Sequence, residues 1–183
     1  QTMTGFEHGF VMTAHDLIHG VFASGKGVLF DDEYYYRGEE LGEKWQRDRQ
    51  DVRLVKDAPD ISTWPPNTMA QGHSQRKSLE IGVELIPHHN LASVHPGAVE
   101  LACVFTDRRV RHAFDTLVLV TERLPNDDLY RAMRADPAGI AKSGLKTIQC
   151  IGDCLTPGII AAAVHFGHLV EREFEADTPE EVP

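Results

Sequence analysis

Cysteine is scarce: Cys103, Cys150 and Cys154 are the only three in 183 residues. Neither their number nor their spacing builds the disulfide framework of a small secreted domain, so the expected compartment is the cytoplasm. Positive charge is short too. Lys and Arg number 18 against 28 Asp and Glu, a formal net charge of −10, which leaves no basic face for nucleic acid or an anionic membrane. No apolar run approaches the ~20 residues that span a bilayer. Residues 1–7 carry neither the basic start nor the apolar run of a signal peptide. The first residue is Gln1, not Met, which reads as a processed chain or a piece of a longer one. A Walker loop, a nucleophile elbow, zinc-type cysteine spacing and internal repeats are all missing.

What is present is globular. Hydrophobic residues make up 42% and charged residues 25%, enough for a core of one ordinary domain or one small domain plus part of another. Residues 25–30 read as a buried strand entered through a glycine turn. Residues 39–50 read as a helix with Leu41 and Trp45 at i, i+4 spacing, and residues 51–56 as a second strand. Strand, helix and strand in that order open a βαβ unit with a parallel sheet. A proline-marked loop over residues 57–66 leads to a helix at 68–80 and a strand at 83–86. Residues 89–94 and 99–105 read as antiparallel strands joined at Pro96-Gly97. Residues 115–121, apolar on both faces, read as a central strand. After Arg123 the texture changes to a polar loop, a short helix over 127–134, another loop, a strand over 147–151 that stops at Gly152-Asp153, and a helix over 159–174.

The expected fold class is α/β: a three-layer Rossmann-like domain with a β-meander crossover, plus part of a second such domain. The second part holds one strand and one long helix, which cannot bury both faces of that strand alone. The acidic stretch over 177–183, with Glu180 and Glu181, reads as a solvated tail.

Two turns bear on nucleotide chemistry. A dinucleotide site needs Gly-x-Gly-x-x-Gly after its first strand, so that the backbone can approach the pyrophosphate. This chain has Asp31, Asp32, Glu33 and three tyrosines before Gly38. One carboxylate ~5 Å from a phosphate charge costs roughly 3 kcal/mol at an effective dielectric of ~20, so this turn is expected to exclude the cofactor. The second turn is Gly152-Asp153, followed by Pro157-Gly158 and a helix starting Ile159-Ile160. It puts a carboxylate at a strand end, where it can accept hydrogen bonds from cofactor hydroxyls, beside a helix N-terminus that faces phosphate. Asp153 as a plain helix cap is an equal reading. Cys150 and Cys154, four apart, admit a redox pair or a metal site, but without a second ligand pair they are read as small buried hydrophobes. His165 and His168, and the pair His88-His89, are read as ordinary histidines, not metal ligands. No catalytic residue is assigned.

The stretches 117–130 (LVLVTERLPNDDLY) and 151–163 (IGDCLTPGIIAAA) resemble the C-terminal part of the trimethylamine dehydrogenase and dienoyl-CoA reductase group, a family of NADH:flavin oxidoreductases. Supporting stretches are Val11-Met12-Thr13, residues 28–38 with their tyrosines, and residues 60–64. The resemblance implies a larger parent. That parent begins with a barrel carrying FMN and an iron–sulfur cluster, followed by two domains similar to the FAD and NADPH domains of glutathione reductase. By that likeness residues 1–24 are a linker and the end of a preceding FAD-type segment, 25–122 the NAD(P)-type domain, and 123–176 the returning half of the FAD- or ADP-type domain. Gly152, Asp153, Pro157, Gly158, Ile159 and Ile160 become the cofactor-binding residues, for an ADP- or FAD-type adenine nucleotide or for no ligand at all. The implied partners are the parent's flavin barrel, an electron-transferring flavoprotein and further copies of the parent.

Three functions follow. In the first, the chain is a nucleotide-binding-fold region of an amine dehydrogenase with a vestigial ADP/FAD-type site. In the second, it is the NAD(P)H-binding domain of a dienoyl-CoA reductase-type enzyme. In the third, it is a non-catalytic interaction module.

Overall fold

The computed structural model describes residues 5–6, 8–21, 25–48, 51–63 and 69–173. Contacts divide the chain into two units, Gln1–Thr121 and Glu122–Pro183. The first unit runs β1 (Val11–Thr13), α1 (Ala14–Ile18), β2 (Lys26–Asp31), α2 (Arg37–Arg47), β3 (Asp51–Val55), α3 (Gln71–Glu80), β4 (Glu84–Ile86), β5 (His89–His95), β6 (Ala98–Cys103), β7 (Arg109–Ala113) and β8 (Thr116–Val120). A parallel sheet has the order β1-β8-β2-β3-β4, and a separate antiparallel sheet the order β5-β6-β7.

Successive strand residues face opposite ways, and here both faces are covered. Leu29, Leu54 and Val118 point into a cluster with Leu17 of α1 and with Leu41 and Trp45 of α2. Val28, Phe30, Val55 and Leu117 point into a second cluster with Leu91, Val99 and Leu101 of the antiparallel sheet. Helices, parallel sheet and meander therefore form the three layers expected. Each fully buried Val, Leu or Phe contributes about 1.5–3 kcal/mol of transfer free energy, so double coverage is what makes these strands read as continuous apolar runs. Gly27 sits where a Cβ would come 2.5 Å from Trp45 Cη2, which lets the indole lie flat on β2.

The structure departs from expectation at several elements. Residues 1–24, read as a linker and the end of a preceding FAD-type segment, contribute two elements not expected there: β1, which pairs in parallel with β8 at Val11↔Leu117, and α1. Val11-Met12 is too short an apolar pair to announce a strand. α1 is held by a reciprocal cap in which Asp16 N–H donates to Thr13 Oγ1 and Thr13 N–H donates to Asp16 Oδ2. β7 was not anticipated, because its five residues, Arg109–Ala113, include a single large apolar side chain, Val110. Trp64, the prolines at 65 and 66, and the expected helix start at 68 lie outside the described residues, as does the tail at 177–183.

The second unit holds α4 (Asp128–Arg134), α5 (Pro137–Ser143), a single 3-10 turn at Gly152–Cys154, and α6 (Ile160–Glu173). α5 replaces an expected loop; Asp136 caps it by accepting from Gly139 N–H at 2.9 Å. The expected strand over 147–151 does not form. A strand is defined by hydrogen bonds to a neighbour, and among the described residues of this unit no segment offers one. None of its described residues is buried, and large apolar side chains stand open, with Leu124 92% and Ile160 84% exposed.

Candidate functional site

In the first unit, β2 ends at Asp31 and the chain turns through Tyr34, at φ 63°, into α2. No side chain caps the start of α2 at Tyr36, so its first amides are the place where a dinucleotide domain receives the pyrophosphate. Here the chain itself supplies the anion. The Asp31 carboxylate lies against the first turn of α2, close enough that a Cβ on Gly38 would clash with it. Lys56 Nζ donates to Asp31 Oδ2 at 2.7 Å and Glu33 N–H donates to Asp31 Oδ1 at 3.0 Å. Both side chains of the Asp31–Lys56 pair are fully buried.

Lys56 follows the last residue of β3. β2 and β3 pair Phe30 with Val55, so residues 31 and 56 are the next neighbours across the ladder. In a dinucleotide domain the end of this second strand presents an acidic group to the ribose, about 20 residues after the glycines. Here the sign is reversed. The Lys56 ammonium also sits 5.1 Å from the centroid of the Tyr34 ring, and the Tyr34 hydroxyl donates to the Asp57 carboxylate. Ser62, buried, places its Oγ 2.8 Å from Tyr35 O and 3.0 Å from Glu39 Oε2, closing the loop after β3 onto the turn.

This corrects the expectation of a repulsive anionic turn. Asp31 is neutralised by Lys56, and Glu33 pairs with Arg37 at 3.2 Å. A buried ion pair occupies the crossover, and two of the three carboxylates in this turn are paired within the fold.

In the second unit the structure brings Gly152, Asp153, Pro157, Gly158, Ile159 and Ile160 onto one turn. Gly152 adopts φ +61°, a left-handed conformation that glycine takes without steric penalty. Leu155 N–H and Thr156 N–H donate back to Gly152 O at 3.0 and 2.9 Å. Asp153 Oδ1 accepts from Gly158 N–H at 3.3 Å, ahead of α6, so Asp153 ties the approach to the helix and leaves its first turn uncapped. Ile160 and Ala161 N–H have no acceptor among the described residues, while Ala162 and Ala163 donate to Ile159 O. The result is an exposed carboxylate beside open helix amides, suited to a ligand with hydroxyl donors and an anionic group.

The cysteines correct another expectation. Cys150 and Cys154 are half-buried, not core, and their Sγ atoms are 3.1 Å apart. His168 Nδ1 lies 3.7 Å from Glu171 Oε2, and the His88 ring meets Phe105 at a tilt of 58°, with centroids 5.2 Å apart. Among the described residues no three His, Cys, Asp or Glu side chains converge as metal ligands, and no helix is long and apolar enough to cross a membrane.

No protein-family model matches the chain. Dimethylamine dehydrogenase from Hyphomicrobium sp. (strain x) is 29% identical over 189 aligned residues, covering 93% of this chain and 26% of that protein. Histamine dehydrogenase from Rhizobium sp. 4-9 superposes with TM-score 0.83 at 31% identity, covering 94% of this chain and 27% of that one. 6-Hydroxypseudooxynicotine amine oxidase from Pseudomonas geniculata N1 superposes with TM-score 0.80 at 31% identity, covering 90% and 24%. An NADH oxidase and a flavoprotein disulfide reductase, 17% and 15% identical, share the Rossmann-like fold alone. The chain spans about a quarter of the length of its amine-oxidising relatives. By sequence and by fold, then, the chain is similar to part of dimethylamine dehydrogenase, histamine dehydrogenase and 6-hydroxypseudooxynicotine amine oxidase.

Proposed function

We propose that this chain is the C-terminal nucleotide-binding-fold region of a flavin-dependent amine dehydrogenase, acting as scaffold and docking surface around at most one adenine-nucleotide site. The carrying observation is the Asp31–Lys56 pair, fully buried at the start of α2 with its nitrogen and oxygen 2.7 Å apart. A pyridine dinucleotide does not fit that crossover. Its pyrophosphate needs the volume that Asp31 fills, and its ribose would meet Lys56 where an acceptor is required. The NAD(P)H-reductase reading therefore loses its site.

An ADP- or FAD-type ligand fits the second unit better. Asp153 is the acceptor for ribose or ribitol hydroxyls, and Ile160 and Ala161 present amides to phosphate. Bound there, such a ligand supplies adenine-nucleotide contacts, with redox chemistry only if it carries a flavin. The chain's part is to orient it through Gly152, Asp153 and Gly158. An iron–sulfur cluster held by four thiolates does not fit a sequence with three cysteines, and no step is assigned to a cluster or to FMN here.

The absence of buried residues among the described residues of the second unit, with Leu124 and Ile160 open, supports its reading as the returning half of a domain completed by the remainder of the parent. Calorimetric titration of the protein carrying this chain with ADP, FAD, NADH and NADPH tests the proposal. ADP or FAD binding that weakens about tenfold in Asp153→Ala, with no NAD(P)H binding dependent on residues 31–56, is expected. NAD(P)H binding abolished by substitutions at Gly38 or Lys56 contradicts it.

A further inference from the structure

We infer that Cys150 and Cys154 form an oxidisable dithiol whose closure into a disulfide locks the turn carrying Asp153. The left-handed Gly152 and the 3-10 turn at Gly152–Cys154 fold the backbone back so that residues four apart meet. Their Sγ atoms stand 3.1 Å apart, and bonding at about 2.05 Å asks for a movement of about 1 Å. Neither sulfur is sealed in a core, so an external oxidant can reach the pair. Cys103 belongs to the first unit and takes no part.

The thiols are not equivalent. Cys154 Sγ donates to Ile151 O at 3.1 Å, and Cys150 holds its proton. The hydrogen bond to Cys154, then burial, then the charges of Cys154 and Asp127 push the Cys150 thiol up to about 11. That order assigns first attack to Cys154 and resolution to Cys150. With oxidised glutathione as oxidant, the Cys154 sulfur attacks one glutathione sulfur, forming a mixed disulfide and expelling one glutathione thiolate. Cys150 then loses its proton to solvent and attacks the Cys154 sulfur, expelling the second glutathione. Two protein thiols are oxidised and one glutathione disulfide is reduced to two thiols.

The closed ring contains Ile151, Gly152 and Asp153. It restrains the peptides whose conformation sets the Asp153 Oδ1 to Gly158 N–H contact of 3.3 Å and the Gly152 O contacts to Leu155 and Thr156. Redox state thus acts on the carboxylate that the proposed nucleotide site depends on; this coupling rests on that proposal, whereas the disulfide itself does not.

The test uses the intact protein carrying this chain, equilibrated with reduced and oxidised glutathione, quenched in acid, alkylated and digested with trypsin. Cleavage after Lys146 and Arg172 places Cys150 and Cys154 in one peptide and Cys103 in another. In excess oxidised glutathione the first peptide is expected unalkylated and two hydrogens lighter, reversibly with dithiothreitol, while Cys103 alkylates normally. Because Cys150 must deprotonate, closure should quicken about tenfold per pH unit between pH 7 and 9. Hydrogen exchange at the amides of Leu155, Thr156 and Gly158 should slow on oxidation. Full alkylation of both cysteines, stable glutathione adducts that never close, or closure with unchanged exchange each overturns the inference. ADP affinity shifting at least fivefold between the two forms supports the coupling, and equal affinity refutes it. Absence of ADP binding in both forms defeats the nucleotide reading and leaves the dithiol to be judged by mapping and exchange alone.

Discussion

Replacing Lys56 with Met, which keeps the length of the stem and deletes the charge, tests the packing of the closed crossover most sharply. Asp31 and Lys56 are both fully buried and 2.7 Å apart. Deleting one partner leaves a carboxylate in the interior with the Glu33 amide as a hydrogen-bond donor, and breaking a buried pair in this way costs about 3–5 kcal/mol. Asp31→Leu alone strands the ammonium at a similar cost. The double substitution Asp31→Leu/Lys56→Met removes both charges at nearly constant shape and should cost no more than about 1 kcal/mol, the remaining loss being the Glu33 amide's acceptor. The cycle thus predicts a coupling of roughly 3 kcal/mol or more. Both tryptophans, Trp45 and Trp64, lie within Gln1–Thr121, so urea unfolding followed by tryptophan fluorescence reports this unit and not the second. Single substitutions that each cost under ~1 kcal/mol, or that add up in the double variant, would refute the assignment of a desolvated pair.

Other consequences are as specific. Gly27→Ala puts a methyl 2.5 Å from the Trp45 ring; overpacking of this kind costs about 1–3 kcal/mol, and fluorescence should show Trp45 moving toward solvent. Gly38→Ala drives a Cβ into the Asp31 carboxylate and should destabilise the unit by a comparable amount, read in the same urea transition. The Thr13 backbone amide, and next its hydroxyl, hold the Asp16 carboxyl below its ordinary range. A group depressed in the folded state contributes stability above its unfolded pKa and loses it as pH falls through the folded one, so exchange protection in α1 should decline below about pH 4. In Thr13→Ala that pH dependence should shrink, and an unchanged profile counts against the cap.

The fold was legible where burial on both faces writes itself into the chain. Val28, Leu29 and Phe30, and Leu117 to Val120, are apolar without alternation because helices cover one face and the meander the other. Pro96-Gly97 marked the hairpin, and Gly97 does sit at φ +73°. Short elements were not legible: β1 has three residues and α1 five, too few for periodicity. The 147–151 run has strand composition, yet sequence cannot show whether a neighbour exists to pair with it. At the candidate site, Asp31 and Gly38 were visible but their meaning was not. The charge count in the turn missed Lys56 because its partner lies 25 residues upstream, and only the β2–β3 register puts them side by side. Applying the expected βαβ pairing to residues 30 and 55 would have found it. The meeting of Cys150 and Cys154 depended on a left-handed Gly152, which sequence allows but does not require.

The most direct measurement is a crystal structure of the protein carrying this chain, soaked separately with ADP and with NADPH. The account predicts adenine-nucleotide density against Asp153 and the start of α6, and an unbroken Asp31–Lys56 contact in both soaks. A pyridine dinucleotide lying over Gly38, with Lys56 displaced from Asp31, would contradict it.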